Sequence, residues 1–207
     1  MNRAALLVSL LLGGWSSLHA AALERDLGQG LRFFRIHELP ADLPSTEKGG
    51  KPLPCVVDVR YARGDPESAK AFEAWLRFRA QPRVPIFVLA NGATAVELLR
   101  VLAQREVGGG VVLIGVPSRN LKPDVTLKPD FTNERLAYDA LEKGASLPSL
   151  LTDNPGKARN DEASLSRDRL AEASADAATK EGPLPVVDVA LQRAVHLHRS
   201  LVALKKI

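Results

Sequence analysis

Val84-Pro85-Ile86-Phe87-Val88-Leu89-Ala90-Asn91-Gly92-Ala93-Thr94-Ala95-Val96-Glu97 is the stretch on which the reading of this chain turns. Val84 to Ala90 is a continuous apolar run of strand length, and Asn91-Gly92 is a turn dipeptide. From Ala93 to Arg105 the chain is helical in character, with Val96, Leu99 and Leu102 on one face. Working outward, Cys55 to Val59 is a second short, β-branched run, the mark of a strand buried on both faces. Pro66 then sits at a helix start, and Ala69, Phe72, Trp75, Leu76 and Phe78 recur at helical spacing. On the other side, Gly108 to Gly110 lead into a third apolar strand, Val111 to Val116. Strand, helix, strand, helix, strand in this order implies an α/β fold with parallel pairing and right-handed crossovers.

Further out the signals thin. Leu31 to Ile36 has strand character between Gly28, Gly30 and Pro40, and Ser45 to Pro54 is a Lys-, Gly- and Pro-rich loop. Thr132 to Gly144 fits a helix capped by Thr132. Asn154 to Gly182 is rich in Ala, Ser and charged residues and is read as a solvated helix or linker. Pro185 to Ile207 reads as a helix with Val187, Leu191, Ala194, Leu201 and Leu204 along one face. His196 and His198 are two apart, so they point to different sides of it and cannot share a metal. The expected organisation is a leader over 1–22, an α/β domain over 23–150, a polar linker over 151–182 and a C-terminal amphipathic helix over 183–207.

Met1 to Ala22 has the features of a secretory signal peptide: Arg3, a short apolar run and Ala20-Ala21-Ala22 at the cleavage region, with cutting after Ala20 or Ala22. The expected location is therefore exported, periplasmic or secreted, with no membrane span after processing. Cys55 is the only cysteine, so no internal disulfide is available and stability must come from packing. Of 207 residues, 45% are hydrophobic, 25% charged and 5% aromatic, which excludes collagen, coiled coil and multispan membrane classes. The 28 basic and 24 acidic residues intermingle, so the +4 charge signals solubility and no nucleic-acid partner. Neither a cofactor nor a metal is expected.

Four segments carry a more specific pattern. They are Gly30-Leu31-Arg32-Phe33-Phe34-Arg35-Ile36, Val57-Asp58-Val59-Arg60-Tyr61-Ala62-Arg63-Gly64-Asp65, the opening stretch Val84 to Glu97, and Leu113-Ile114-Gly115-Val116-Pro117-Ser118 followed by Lys122-Pro123-Asp124-Val125. In order and spacing they resemble the C-terminal (tail-specific) processing peptidases, a serine-type peptidase family of the Clp-protease/crotonase fold. The family's segments read G-x-I-G-Y-I-R-I, I-L-D-L-R-x-N-x-G-G, P-V-V-V-L-V-N-x-x-S-A-S-A-A-E, and V-I-G-x-x-T with I-x-P-D-V. A rhodanese-like domain also has a D-V-R strand and a strand-loop-helix site. It would place a cysteine between Leu89 and Thr94, and this chain has none there.

The resemblance implies a truncated Clp-protease/crotonase-like core of ββα units with an added C-terminal helix. It also assigns roles. Acyl transfer needs a nucleophile at a strand-to-helix turn, backbone N–H groups for the oxyanion, and a base. Thr94 falls at the nucleophile, while Gly64, Asp65, Gly92 and Ala95 fall in the oxyanion and substrate groove. Asp65 replaces a glycine and brings a carboxylate toward a developing anion. The strand that delivers the family's general base, a lysine, is missing, and Lys122 is the nearest substitute. As competing roles, Thr94 serves as a helix N-cap and Asp58 with Arg60 forms a packing pair. The expectation is a non-catalytic, peptidase-like protein that binds extended peptides by strand addition. The alternatives are an active peptidase using Thr94 with Lys122, and a structural envelope protein that assembles through its C-terminal helix.

Overall fold

The computed structural model describes residues 23–44, 52–104, 109–151 and 186–207; the expected leader and nearly all of the expected linker lie outside them. Six strands form one sheet in chain order: β1 (Leu23–Asp26), β2 (Arg32–Arg35), β3 (Cys55–Asp58), β4 (Ile86–Leu89), β5 (Val111–Gly115) and β6 (Val125–Thr126). β1 runs antiparallel to β2, and every later pairing is parallel. The helices are α1 (Pro66–Arg79), α2 (Val96–Gln104), α3 (Phe131–Glu142), α4 (Leu147–Leu150) and α5 (Val189–Ala203). An α/β fold with a mostly parallel sheet is thus what the apolar runs at 55, 86 and 111 produce. All four residues of β3 and of β4 are buried, as strands covered on both faces must be.

Alternation sorts the strand residues into two cores. Phe34, Val57, Val88 and Leu113 face α1 and α2, which contribute Ala69, Phe72, Leu76, Leu98, Leu99 and Leu102. Phe33, Val56, Phe87, Leu89 and Ile114 face the other way, against Leu141, Leu147, Leu150, Leu191 and Val195 of α3, α4 and α5. Gly115 is where β5 closes on β4: a Cβ there would collide with the carbonyl of Ala90.

Several helix boundaries differ from expectation, each for a local reason. α2 begins at Val96 and not Ala93, because Asn91 to Thr94 form a turn in which the Asn91 Oδ1 accepts the Ala93 N–H at 3.0 Å. α3 is capped by Asp130, not Thr132; its carboxylate accepts the Asn133 N–H at 3.1 Å. α5 starts at Val189, capped by Asp188. Leu191 and Ala194 are buried as expected, but Leu204 is the C-cap and stands 66% exposed. Phe78 is 72% exposed, since it points away from the α1 face that holds Phe72. His198 packs inside, where burial and neighbouring Arg199 hold its pKa below the usual histidine value.

Candidate functional site

The carboxyl ends of parallel strands are where α/β sheets present chemistry, and here that edge gathers the polar residues. β2 ends on Arg35 and β3 on Asp58, paired in register and both on the α3/α5 side of the sheet. Arg60, just beyond β3, grips the same carboxylate: its Nε donates to Asp58 Oδ1 at 2.9 Å and its Nη2 to Oδ2 at 2.8 Å. Arg35 donates from Nε and Nη2 to Asp58 Oδ2 at 3.3 and 3.2 Å. Its Nη1 reaches the Tyr138 carbonyl at 3.0 Å and Glu142 Oε1 at 2.9 Å, both on α3. Arg60 closes the set on Asp188, with contacts of 3.1 and 2.7 Å, and Asp188 in turn accepts the Leu191 N–H at 3.0 Å.

Arg35, Asp58, Arg60 and Asp188 are all buried, two cations against two anions. Burial by itself pushes the Asp58 carboxyl upward, but Arg60 and Arg35 outweigh it and hold the group below the usual carboxylate range. Desolvation likewise opposes the Arg60 charge, yet Asp188 and Asp58 keep its pKa well above the ordinary value. The Arg35 guanidinium lies 3.8 Å from the centre of the Tyr138 ring, and burial raises that phenol to about 12. This arrangement fixes charges in place and binds α3 and α5 to the sheet; its donors and acceptors are mutually satisfied.

Beside it sits the turn after β4. Thr94 is only 4% exposed. Its Oγ1 donates to the Val59 carbonyl at 3.0 Å and accepts the Asn91 N–H at 3.2 Å. The Thr94 N–H is bonded to the Asn91 carbonyl at 3.2 Å and the Ala95 N–H to the Ala62 carbonyl at 3.1 Å. The Asn91 side-chain amide donates to Glu134, which also accepts the Tyr61 hydroxyl at 3.3 Å. Tyr61 holds φ at +62°, a left-handed conformation that is costly for a bulky residue. Gly64 packs near Leu98, and Gly92 is exposed. Asp65 is the N-cap of α1, its carboxylate accepting the Ser68 N–H at 2.7 Å, a bond that lowers its pKa.

Lys122 lines an open groove of about 430 Å³ with Val96, Arg100, Ala103, Arg119 and Leu121, and Thr94 is not among the lining residues. Asp124, in the segment similar to I-x-P-D-V, braces β5 by accepting the Leu113 N–H at 2.7 Å.

The sequence marks the Asp58–Arg60 pair and the Thr94 hydroxyl, but not Arg35 with Glu142 and Asp188 around the pair, nor Asn91 with Glu134 at the turn. Thr94 is not the N-cap expected, since α2 begins at Val96 and the Thr94 hydroxyl accepts the Asn91 N–H. One signal was available: Arg35 stands two residues after Phe33 on a core-facing position, and a buried arginine demands a buried acid. Among the described residues no helix is long and apolar enough to cross a membrane, and no group of His, Cys, Asp or Glu is arranged to hold a metal. In comparison with known proteins, no family model matches the chain and no curated protein does.

Proposed function

We propose that this chain is an exported, non-catalytic relative of the tail-specific processing peptidases, a truncated Clp-protease/crotonase-like core that holds extended peptides without cutting them. The observation that carries this reading is the state of the Thr94 hydroxyl. A nucleophile must be open to substrate and hydrogen-bonded to a base. The Thr94 Oγ1 is buried and gives its proton to a main-chain carbonyl, that of Val59. The nearby Thr94 and Ala95 N–H groups, which an oxyanion would need, are bonded to main-chain carbonyls. Asp65 caps a helix, and Lys122 faces the groove beside α2. These positions support a turn preserved for its shape after its chemistry was lost.

The test is turnover of a panel of unstructured peptides by the mature protein, by Thr94→Ser and by Thr94→Ala. No cleavage is expected from any of them, including the serine variant. Cleavage by the wild type that vanishes in Thr94→Ala would overturn the proposal and make Thr94 a nucleophile.

A further inference from the structure

Thr94 does not line the groove between α2 and the 118–122 turn, and the charged residues that do are all basic. Val96, Ala103 and Leu121 supply apolar lining, while Arg100, Arg119 and Lys122 supply three positive charges, with Ser118 and Asn120 completing the lining. Among the described residues no aspartate or glutamate lines it. Arg100 pairs with Glu97 at 2.6 Å, but among the described residues neither Arg119 nor Lys122 has an acidic partner. The nearest acid in sequence, Asp124, has one carboxylate oxygen engaged by the Leu113 N–H.

The turn that carries the cations is itself fixed. The Ser118 N–H donates to the Leu121 carbonyl at 3.0 Å, and the Leu121 N–H returns to Ser118 at 3.2 Å. Buried Leu121 anchors the turn in the α1/α2 core. Arg119 and Lys122 are thus presented from a rigid support opposite a helix face, and such preorganisation lowers the ordering cost of binding. A volume of about 430 Å³ lies within the range of small-ligand and peptide-side-chain sites.

We propose that this groove docks a short acidic peptide segment, an apolar side chain flanked by carboxylates, which makes it the peptide-holding surface of the non-catalytic protein proposed above and rests on that reading. The apolar residue lies against Val96, Ala103 and Leu121. Carboxylates on either side meet Arg119 and Lys122. Apolar contact gives the residue its seat, and the cations give the sign of the partner. Because the cations are exposed, the charge selection weakens with salt.

Fluorescence anisotropy on the full chain tests this with three labelled probes: Ac-Asp-Glu-Leu-Asp-Asp-NH2, its amide analogue Ac-Asn-Gln-Leu-Asn-Asn-NH2, and an inorganic polyphosphate of matching charge. The acidic peptide should bind, with the amide analogue at least about tenfold weaker and the gap narrowing as salt rises. An Arg119→Glu/Lys122→Glu double variant should abolish acidic-peptide binding. Ala103→Phe, which fills the apolar slot without altering charge, should weaken it several-fold and serves as an independent probe if the double variant misfolds. Equal binding of the two peptides would sink the acidic selection while leaving the peptide-binding reading intact. Polyphosphate binding as tightly as the acidic peptide, insensitive to Ala103→Phe, would reassign the groove as a general anion surface. Absence of binding by either peptide would overturn both readings.

Discussion

On one face of the sheet, α1 and α2 rest on Phe34, Val57, Val88 and Leu113 by apolar contact. On the other, α3 and α5 rest on Phe33, Val56 and Leu89 and are also tied to the strand ends by Arg35, Asp58, Arg60 and Asp188. The first pair of helices are crossovers: each joins two neighbouring parallel strands, so covalent connection already limits where it can lie. α3, α4 and α5 follow the last strand and have no such constraint. Apolar surface alone would let them slide, because hydrophobic contact has no direction. The buried charges supply the direction. We infer that they specify which residue of α5 meets which strand end, in the sense in which buried polar groups set register elsewhere.

The largest effect is expected where that specification is removed. Asp188→Ala leaves buried Arg60 and Arg35 to share the single buried carboxylate of Asp58 and deletes the cap of α5, so it should cost about 3–5 kcal/mol in urea unfolding. Phe72→Ala on the opposite face should cost a similar ~3–5 kcal/mol, by leaving a cavity. The two are told apart by a rescue. Replacing Arg60 and Asp188 together with Met and Leu should recover much of the lost stability, whereas a cavity at Phe72 has no charged partner to remove. Failure of the double replacement to improve on Asp188→Ala would show that the clamp contributes more than mutual neutralisation.

The pH dependence separates the faces next. Asp58, on the clamped face, titrates below its ordinary 3.8 when folded. Its contribution is therefore complete above that value and lost as the pH falls through the folded pKa. Cys55, on the crossover face, is pushed from 9.0 to about 11, chiefly by burial. A neutral thiol favoured by folding contributes fully below pH 9.0 and less as the pH rises toward about 11. Stability–pH curves should show Asp58→Asn flattening the acid limb only and Cys55→Ala flattening the alkaline limb only. Either variant acting on the opposite limb would break the assignment.

The same asymmetry explains what the sequence discloses. β3, β4 and β5 are legible because an unbroken apolar run of strand length has one use in an α/β chain, and α1 because Pro66 and the 69–72–76 spacing agree. β1 is not, since Leu23-Glu24-Arg25-Asp26 is mostly charged and is a strand only because it pairs with β2. β6 is two residues long, below any pattern. Asp58 with Arg60 is legible at two residues' separation, but Arg60 meets Asp188 across 128 residues, and nothing local marks that contact. At the Thr94 turn the sequence identifies the hydroxyl and leaves open where its proton goes, which depends on the Val59 carbonyl of a different strand segment.

A smaller effect is expected at Gly115, which sets the spacing between β4 and β5. Gly115→Ala puts a methyl against the Ala90 carbonyl, main chain that cannot rotate aside. A loss of about 1–3 kcal/mol in thermal or urea unfolding is expected from such overpacking. A neutral result would mean that the strand ends have room to part.

The smallest effect belongs to Thr94→Ser, and it bears most directly on function. Serine keeps the hydroxyl that donates to Val59 and accepts from Asn91, and it loses only a methyl group. Stability should fall by no more than about 1 kcal/mol, roughly the value of one buried methylene. Thr94→Val keeps the shape and loses both bonds, leaving the Asn91 N–H and Val59 carbonyl without their side-chain partner, so about 1–3 kcal/mol is expected there. If Thr94 serves the turn, the order of stability is wild type, serine, valine, and no variant cleaves peptide. A catalytic Thr94 predicts a different pattern, because nucleophiles are commonly held at a cost to stability. In that case valine would equal or exceed the wild type in stability, and the serine variant would turn over substrate. Measuring unfolding and peptide turnover on the same three proteins therefore separates a hydroxyl that holds main chain in place from one that attacks.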